Sequence, residues 1–348
     1  MTKFIGVAEM GELVRSTGIE RFLAGLARTI DEDFRRWPEF EKEARLASHS
    51  RDGVIELMPT SDGTLYSFKY VNGHPGNTRS GKLTVTAFGV LADVATGYPQ
   101  LVAEMTLLTA LRTAATSALA ASRLARKGAR KMALIGTGAQ SEFQALAFRA
   151  LLDVDEIRIF DTDPAAMEKF LSNIGSNQGL RVIRAKSVTE AVEGVDIITT
   201  ATADKTLAKI LTPEMIAAGV HLNAIGGDCP GKTELHPDVV ARAKVFVEYP
   251  PQTRTEGEIQ QMPADFAVTE LWQVLAGTAA GRDSDQQVTL FDSVGFAVED
   301  FSALRYVASL ISDDAGQIDL IPEMGDPKNL FGLLHLPQGL RRLAEARA

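Results

Sequence analysis

Residues 131–161, KMALIGTGAQSEFQALAFRALLDVDEIRIFD, decide how the rest of the chain is read. KMALI is a short apolar run bounded by a glycine turn, the pattern of a buried strand, while EFQALAFRALL has the spacing of a helix. EIRIF is a second strand, and it ends on Asp161. Strand, glycine turn, helix, strand and acid, in that order, form the context a dinucleotide fingerprint needs. Gly136 makes the tight turn, and Gly138 lets the backbone approach a pyrophosphate at the positive end of the following helix. Ser141 stands in place of a third glycine, and a small side chain there still permits close packing. An acid at position 161 can accept from both hydroxyls of an adenosine ribose and repels a 2′-phosphate, which favours NAD over NADP. The alternative is that Asp161 is only a turn residue.

Toward the C-terminus the alternation continues. Strands are expected at Arg181–Ala185, Asp196–Thr200, His221–Ile225, Lys244–Glu248 and Val288–Phe291. Helices are expected at Pro164–Gly175, Val188–Glu193, Pro213–Ala217, Pro237–Ala241 and Phe296–Leu310. Such alternation builds βαβ units on a parallel sheet. Within it, HLNAIGGDCPGKTEL (221–235) stops a strand on Gly226–Gly227, presents Asp228 and offers a cation at Lys232. Ligands of open parallel sheets bind beyond the carboxyl ends of the strands. Asp228 is therefore either an acid aimed at the chemistry or a helix cap. The two glycines are expected to leave room for something flat against the backbone. Two further strand ends, Thr200–Thr202 and Asp292–Gly295, either hydrogen-bond the cofactor or cap helices.

Toward the N-terminus, Val7–Ser16 and Ile19–Arg35 read as helices broken at Thr17–Gly18. From Ala44 to Tyr98 the period is two, with turns at Asp52–Gly53, Asp62–Gly63 and Asn72–Gly73, and Tyr98–Leu108 as a last extended stretch. This is a mostly antiparallel sheet. Arg45, Glu56 and Lys69 sit among its apolar positions, as the polar floor of a cleft or as a solvated face. Thr106–Gly128 is an alanine-rich helix carrying Arg112, expected to cross between domains. The expected fold is α/β: a Rossmann-type doubly wound parallel sheet domain (113–318) plus a mostly antiparallel α+β domain (1–112), to which the tail 319–348 returns.

With 36 Lys+Arg against 45 Asp+Glu in 348 residues, the net charge is −9 and the basic residues are scattered, so nucleic acid is not an expected partner. A lone cysteine, Cys229, fits a reducing compartment and is read as a small neighbour of Asp228. No signal segment and no apolar run of roughly 20 residues is present, so a cytoplasmic protein with no membrane contact is expected. No metal is expected, and His49 and His74 are read as structural.

Taken together, these residues resemble the ornithine cyclodeaminase/mu-crystallin family, and its bacterial enzymes more than its crystallins. The motifs that carry the resemblance are FKYVNGHPGN around Lys69, TALRTAATSALAA around Arg112, IGTGAQSEFQ (135–144), GGDCPGKTEL (226–235), VEYPPQTRTEGEI (247–259) and TLFDSVGFAVED (289–300). They run in order over essentially the whole chain. The resemblance implies conversion of L-ornithine to L-proline and ammonia, with a hydride passed to a bound NAD and returned. It implies Asp228 as acid/base, Arg45, Lys69 and Arg112 on the substrate carboxylate, Glu56 near the amino groups, and Val294 along the substrate pocket. Cofactor contacts are implied at Thr84, Arg112, Gly136, Gly138, Ala139, Gln140, Asp161, Thr202, Ile225, Gly226, Gly227, Asp228, Lys232 and Ser293. It also implies a homodimer formed through the antiparallel sheet. The roles fit the chemistry. An amine must be neutral before hydride leaves its carbon, so a base is needed at the strand tip, and three cations on one carboxylate fix orientation. Alternatives are an amino acid dehydrogenase or ketimine reductase with net redox, a lysine cyclodeaminase, or a non-catalytic binding protein. Retention of Asp228, Glu56 and all three cations argues against the last.

Overall fold

The computed structural model describes residues 2–175, 179–203, 207–312, 316–322 and 324–335. The chain opens on a strand, β1 (Thr2–Ile5), followed by α1 (Val7–Thr17) and α2 (Ile19–Arg35), with Gly18 at φ +83° between the two helices. Short strands β2 (Glu41–Lys42) and β3 (Leu46–His49) precede the long β4 (Val54–Ser61), β5 (Leu65–Gly73), β6 (Val85–Asp93) and β7 (Pro99–Glu104). These form one sheet in the order β18–β1–β7–β6–β5–β4–β2, with β3 also on β4, where β18 is Gln317–Ile318. All its pairings are antiparallel except β1 with β7.

Alternation sets its two faces. Met58, Lys69, Val71, Ala87 and Leu91 point inward and are buried, whereas Ile55, Leu57, Tyr66 and Phe88 point outward and are exposed. In register, Glu56 faces Val71 and Met58 faces Lys69, so Glu56 and Lys69 share the inner face. That face is covered by α10 (Ala297–Leu310), on which α2 packs in turn.

Helix α3 (Thr106–Leu124) joins the two sheets, packing on β6 of the first and on strands of the second. Then follow β8 (Lys131–Ile135), α4 (Ser141–Leu152), β9 (Glu156–Phe160), α5 (Pro164–Ile174), β10 (Arg181–Arg184), α6 (Val188–Val192) and β11 (Ile197–Thr200). After β12 (Leu207–Leu211) come β13 (His221–Ala224), β14 (Thr233–Leu235), α7 (Pro237–Arg242), β15 (Lys244–Val247), α8 (Pro250–Glu256), β16 (Thr269–Glu270), α9 (Leu271–Leu275) and β17 (Thr289–Asp292). The second sheet runs β10–β9–β8–β11–β13–β17–β15–β16, every neighbour parallel, with β12 and β14 paired apart from it. The order reverses between β8 and β11, which is where a doubly wound sheet opens a crevice. Phe160, Ile135, Thr200, Ala224 and Asp292 are level in register, so the tips of five strands meet at that opening.

Both sheet types match the expected α/β class, with local departures. Asn72–Gly73 is not a turn: it ends β5, and the Asn72 amide oxygen accepts from Thr86 N across the ladder at 3.0 Å. The helix expected at Pro213–Ala217 is a single tight turn, Pro213–Met215. The N-terminal strand β1 escaped the reading because four residues carry too short a period. Pairing of Gln317 and Ile318 with β1 starts the return of the chain just before Asp319. Residues 336–348 of the tail lie outside the described residues. Among the described residues no helix is long and apolar enough to cross a membrane.

Candidate active site

At the crevice, Gly136 has φ +97°, and a Cβ there would lie 2.6 Å from the Ala201 carbonyl oxygen, so only glycine can turn the chain beside β11. Gly138 and Ala139 are exposed, and nothing lies within 4 Å of a Cβ built on Gly138. The side-chain oxygen of Gln140 is buried without a hydrogen-bond partner. Asp161 follows β9, and its Oδ2 accepts from the Thr137 N–H at 2.6 Å and hydroxyl at 3.1 Å. It lines a pocket of about 570 Å³ with Phe160, Thr162, Met167, Arg184, Ala185 and Lys186. An open backbone turn at a helix start, an orphaned amide oxygen and an acid beside a pocket of nucleoside size fit a dinucleotide.

The glycines after β13 have a different cause from the one expected. A Cβ on Gly226 would lie 2.2 Å from Glu234 Oε1, and one on Gly227 would lie 2.8 Å from Glu258 Oε1. Internal carboxylates, not a flat ligand, occupy the space that side chains would need. Glu234 is fully buried and ties three strand ends together. It accepts from Thr200 Oγ1 at 2.6 Å, from Thr202 N and Oγ1 at 2.7 Å each, and from Gly226 N at 2.9 Å. Glu258 in turn accepts from Glu234 N and Leu235 N. Asp292 neither caps α10 nor faces the crevice, because its two oxygens accept from Glu258 N and Ile259 N. Burial pushes its carboxyl up to about 7.

Beyond these tips Asp228 stands open, its side chain 52% exposed, with Lys232 Nζ 3.1 Å away. Lys232 is itself buried, and the nearby charge of Asp228 helps hold its ammonium above the usual lysine range against desolvation. Ile225 N pairs with Thr200 O.

On the other wall the three cations meet. Arg45, ahead of β3, donates from Nη2 to the carbonyls of Val294 (2.5 Å) and Gly295 (2.9 Å) and from Nη1 to Glu56 (3.1 Å). Its Nε lies 3.1 Å from Glu256. Lys69, 1% exposed, sits 2.8 Å from the Asp300 carboxylate. Arg112 reaches Asp300 at 3.0 Å and Glu299 at 2.8 Å. Burial, then the nearby charge of Arg112, lowers Lys69 to about 8 despite Asp300. Burial pushes Glu299 up to about 8 and Glu256 to about 7, each opposed by its arginine. The turn between β17 and α10 fits against these cations through Gly295, at φ +74°, whose missing side chain leaves room for Arg112 Nη1 2.5 Å from the Cβ position. Glu248 fastens that turn, accepting from Ser293 Oγ at 2.5 Å and Gly295 N at 3.1 Å.

Asp228, Arg45, Glu56 and Glu256 thus lie near one another, with Lys69 and Arg112 close to Arg45: Asp228 and Glu56 both lie within electrostatic range of Arg45 and of Glu256. Val294 joins this cluster through its carbonyl on Arg45, and Ser293 faces Glu248. Thr84 stands apart from these contacts, its carbonyl accepting from His74 N ahead of β6. Glu248, Glu256, Glu299 and Asp300 were not anticipated. They lie inside motifs already noted (VEYPP, EGEI and FAVED), and the signal was the density of acids next to a glycine-rich strand end.

A doubly wound crevice with an acid just past the tip of β9, opening on buried cations matched by acids, defines a two-sheet enzyme of the NAD-binding Rossmann type. The chain belongs to the ornithine cyclodeaminase/mu-crystallin family, whose model matches residues 7–314. It is 62% identical over 342 residues to a protein of Agrobacterium fabrum named ornithine cyclodeaminase, covering 98% of this chain and 96% of that protein. A lysine cyclodeaminase structure, concerned with recognition of L-lysine, L-ornithine and L-2,4-diaminobutyric acid, superposes with a TM-score of 0.85. It is 30% identical and covers 94% of this chain and 98% of its own. An archaeal alanine dehydrogenase dimer with bound NAD superposes with a TM-score of 0.83 at 29% identity, covering 92% and 99%.

Proposed function

We propose that this chain is an NAD-dependent ornithine cyclodeaminase, converting L-ornithine to L-proline and ammonia with no net redox change. The observation that carries this reading is the meeting of Arg45, Lys69 and Arg112 at one turn, with Asp228 open on the opposite side. Three cations in one place suit a carboxylate, and the acids beside them suit the amines of a diamino acid.

In this reading the substrate carboxylate takes over contacts that Glu299, Asp300 and the 294–295 carbonyls now make. That fixes Cα, which is where much of the rate of an oriented reaction arises. Asp228 accepts a proton from the α-ammonium, with Lys232 Nζ at 3.1 Å holding its carboxylate in place. Val294 borders the pocket, and Glu56 lies by the amines. The cofactor is assigned to Gly136, Gly138, Ala139, Gln140, Asp161, Thr202, Ile225–Asp228, Lys232 and Ser293, with Thr84 and Arg112 at its margin. Bound there, NAD supplies a hydride acceptor and donor; the chain supplies orientation and proton transfer.

A second copy of the chain is the proposed partner. Exposed Leu46, Ile55, Leu57, Tyr66 and Phe88 make the outer face of the first sheet apolar, as a buried interface requires.

The test is incubation with L-ornithine and catalytic NAD. Proline and ammonia in equal amounts, well beyond the NAD added, support the reading, and ornithine loss that stops once the NAD is reduced removes it.

A further inference from the structure

The ring-closing amine needs a proton acceptor of its own, and the site contains one more carboxylate than the proposed roles use. Glu256, at the end of α8, is 8% exposed. It lies 3.1 Å from Arg45 Nε, yet the two are misaligned: Glu256 Oε2 and Arg45 Nε are both buried without a hydrogen bond. An unmet acceptor beside an unmet donor is costly in a folded protein. A zwitterionic ligand, carboxylate toward Arg45 and ammonium toward Glu256, would satisfy both. Glu56 is different, because its Oε2 already accepts from Arg45 Nη1 at 3.1 Å.

We infer that Glu256 receives the distal ammonium of the diamino acid substrate and carries its protons through ring closure. This rests on the cyclodeaminase reading above. Ring closure joins the distal nitrogen to Cα of the oxidised, imine form of the substrate and breaks the Cα–N bond to the α-nitrogen. Imine plus distal ammonium gives cyclic iminium plus ammonia. Two protons pass from the distal to the α-nitrogen through the Glu256 carboxyl, and ammonia leaves with the Cα–N bonding pair. No oxidant is consumed in this step. The charged groups facing Glu256 are Arg45, Glu56 and Asp228, and burial with the two acids pushes its carboxyl up to about 7, where it can both take and give a proton.

The experiment separates the two halves of the reaction. Wild type, Glu256→Gln, Glu256→Asp and Glu56→Gln are each loaded with NAD, and binding is confirmed by titration. Each is mixed with L-ornithine in a single turnover, following reduced cofactor by absorbance and proline by quench. Glu256→Gln is expected to keep the burst of reduced cofactor within about tenfold of wild type, while proline formation falls at least ~100-fold. Glu256→Asp, which keeps a carboxyl, is expected to recover at least about tenfold of that loss. Proline formed by Glu256→Gln at near the wild-type rate, burst and proline lost in equal proportion, or no recovery in Glu256→Asp would each overturn the inference. Burst and proline declining together in Glu56→Gln would support it, whereas a loss confined to proline there would move the role to Glu56. Wild type making no proline at all would instead remove the cyclodeaminase reading, and this inference with it.

Discussion

Replacing Gly226 with alanine distinguishes a glycine needed by the protein from one needed by a ligand. A Cβ at this position would lie 2.2 Å from Glu234 Oε1 and 2.4 Å from its carboxyl carbon. To reach ordinary contact the carboxylate must retreat by roughly 1 Å, since real Cβ contacts lie beyond 3 Å. Oε1 holds Thr202 N and Thr202 Oγ1 at 2.7 Å each, so both bonds are lost or badly stretched. Hydrogen bonds to a charged acceptor contribute about 1.5–3 kcal/mol each, which sets the cost at about 3–6 kcal/mol. For a chain of this size that corresponds to a fall in melting temperature on the order of 10 °C. Gly138→Ala is the contrast. No atom lies within 4 Å of its Cβ, and Gly138 is not among the positive-φ glycines. Its stability should stay within about 0.5 kcal/mol of wild type, while NAD binding weakens at least ~10-fold, or about 1.4 kcal/mol. Thermal melts and cofactor titrations of the two variants decide the matter. Gly226→Ala melting like wild type and losing only cofactor affinity would refute the account of Glu234 as the occupant of that space.

Asp228→Asn should bind NAD normally but lose turnover by about 10²–10⁴-fold and show no burst of reduced cofactor, read by titration and single-turnover absorbance. Lys69→Ala should raise KM for ornithine more than it lowers kcat, because Arg112 still holds Asp300 at 3.0 Å; an unchanged KM would move the carboxylate elsewhere. Stability should fall as pH rises from about 5 to about 7. Asp292, Glu256 and Glu299, with values of about 7, 7 and 8, keep protons in the folded state that the unfolded chain has released by then. His221, lowered to about 3 by burial, acts in the opposite sense below its ordinary 6.5, as one group against three. Denaturant midpoints across that range check the slope, and a rise with pH would contradict it.

The Rossmann half was legible because its signals are local. A five-residue strand, a glycine turn and an amphipathic helix each announce themselves within a dozen residues, and β8, α4 and β9 lie where KMALI, EFQALAFRALL and EIRIF were read. The antiparallel strands were legible from their period of two, but the loop after Asn72–Gly73 was not, since the Asn72 side chain is taken by Thr86 on the next strand rather than by a turn. β1 was missed because its pairing with β7 lies about a hundred residues away in sequence, beyond any local pattern. In the site, cations stood out as charges in apolar company, whereas their counter-ions did not. Glu299 and Asp300 occupy the first turn of α10, where acids are ordinary helix-start residues. Only the fold brings them to Arg112 and Lys69. Gly226 and Gly227 were correctly marked as special but for the wrong neighbour, since Glu234 and Glu258 return to them from later in the chain.

The most direct measurement is turnover of L-ornithine deuterated at Cα with a catalytic amount of unlabelled NAD. The account predicts proline that retains the deuterium at its α-carbon, one ammonia per proline and no build-up of reduced cofactor. Proline carrying hydrogen there, or ornithine consumption that stops once the cofactor is fully reduced, would contradict it.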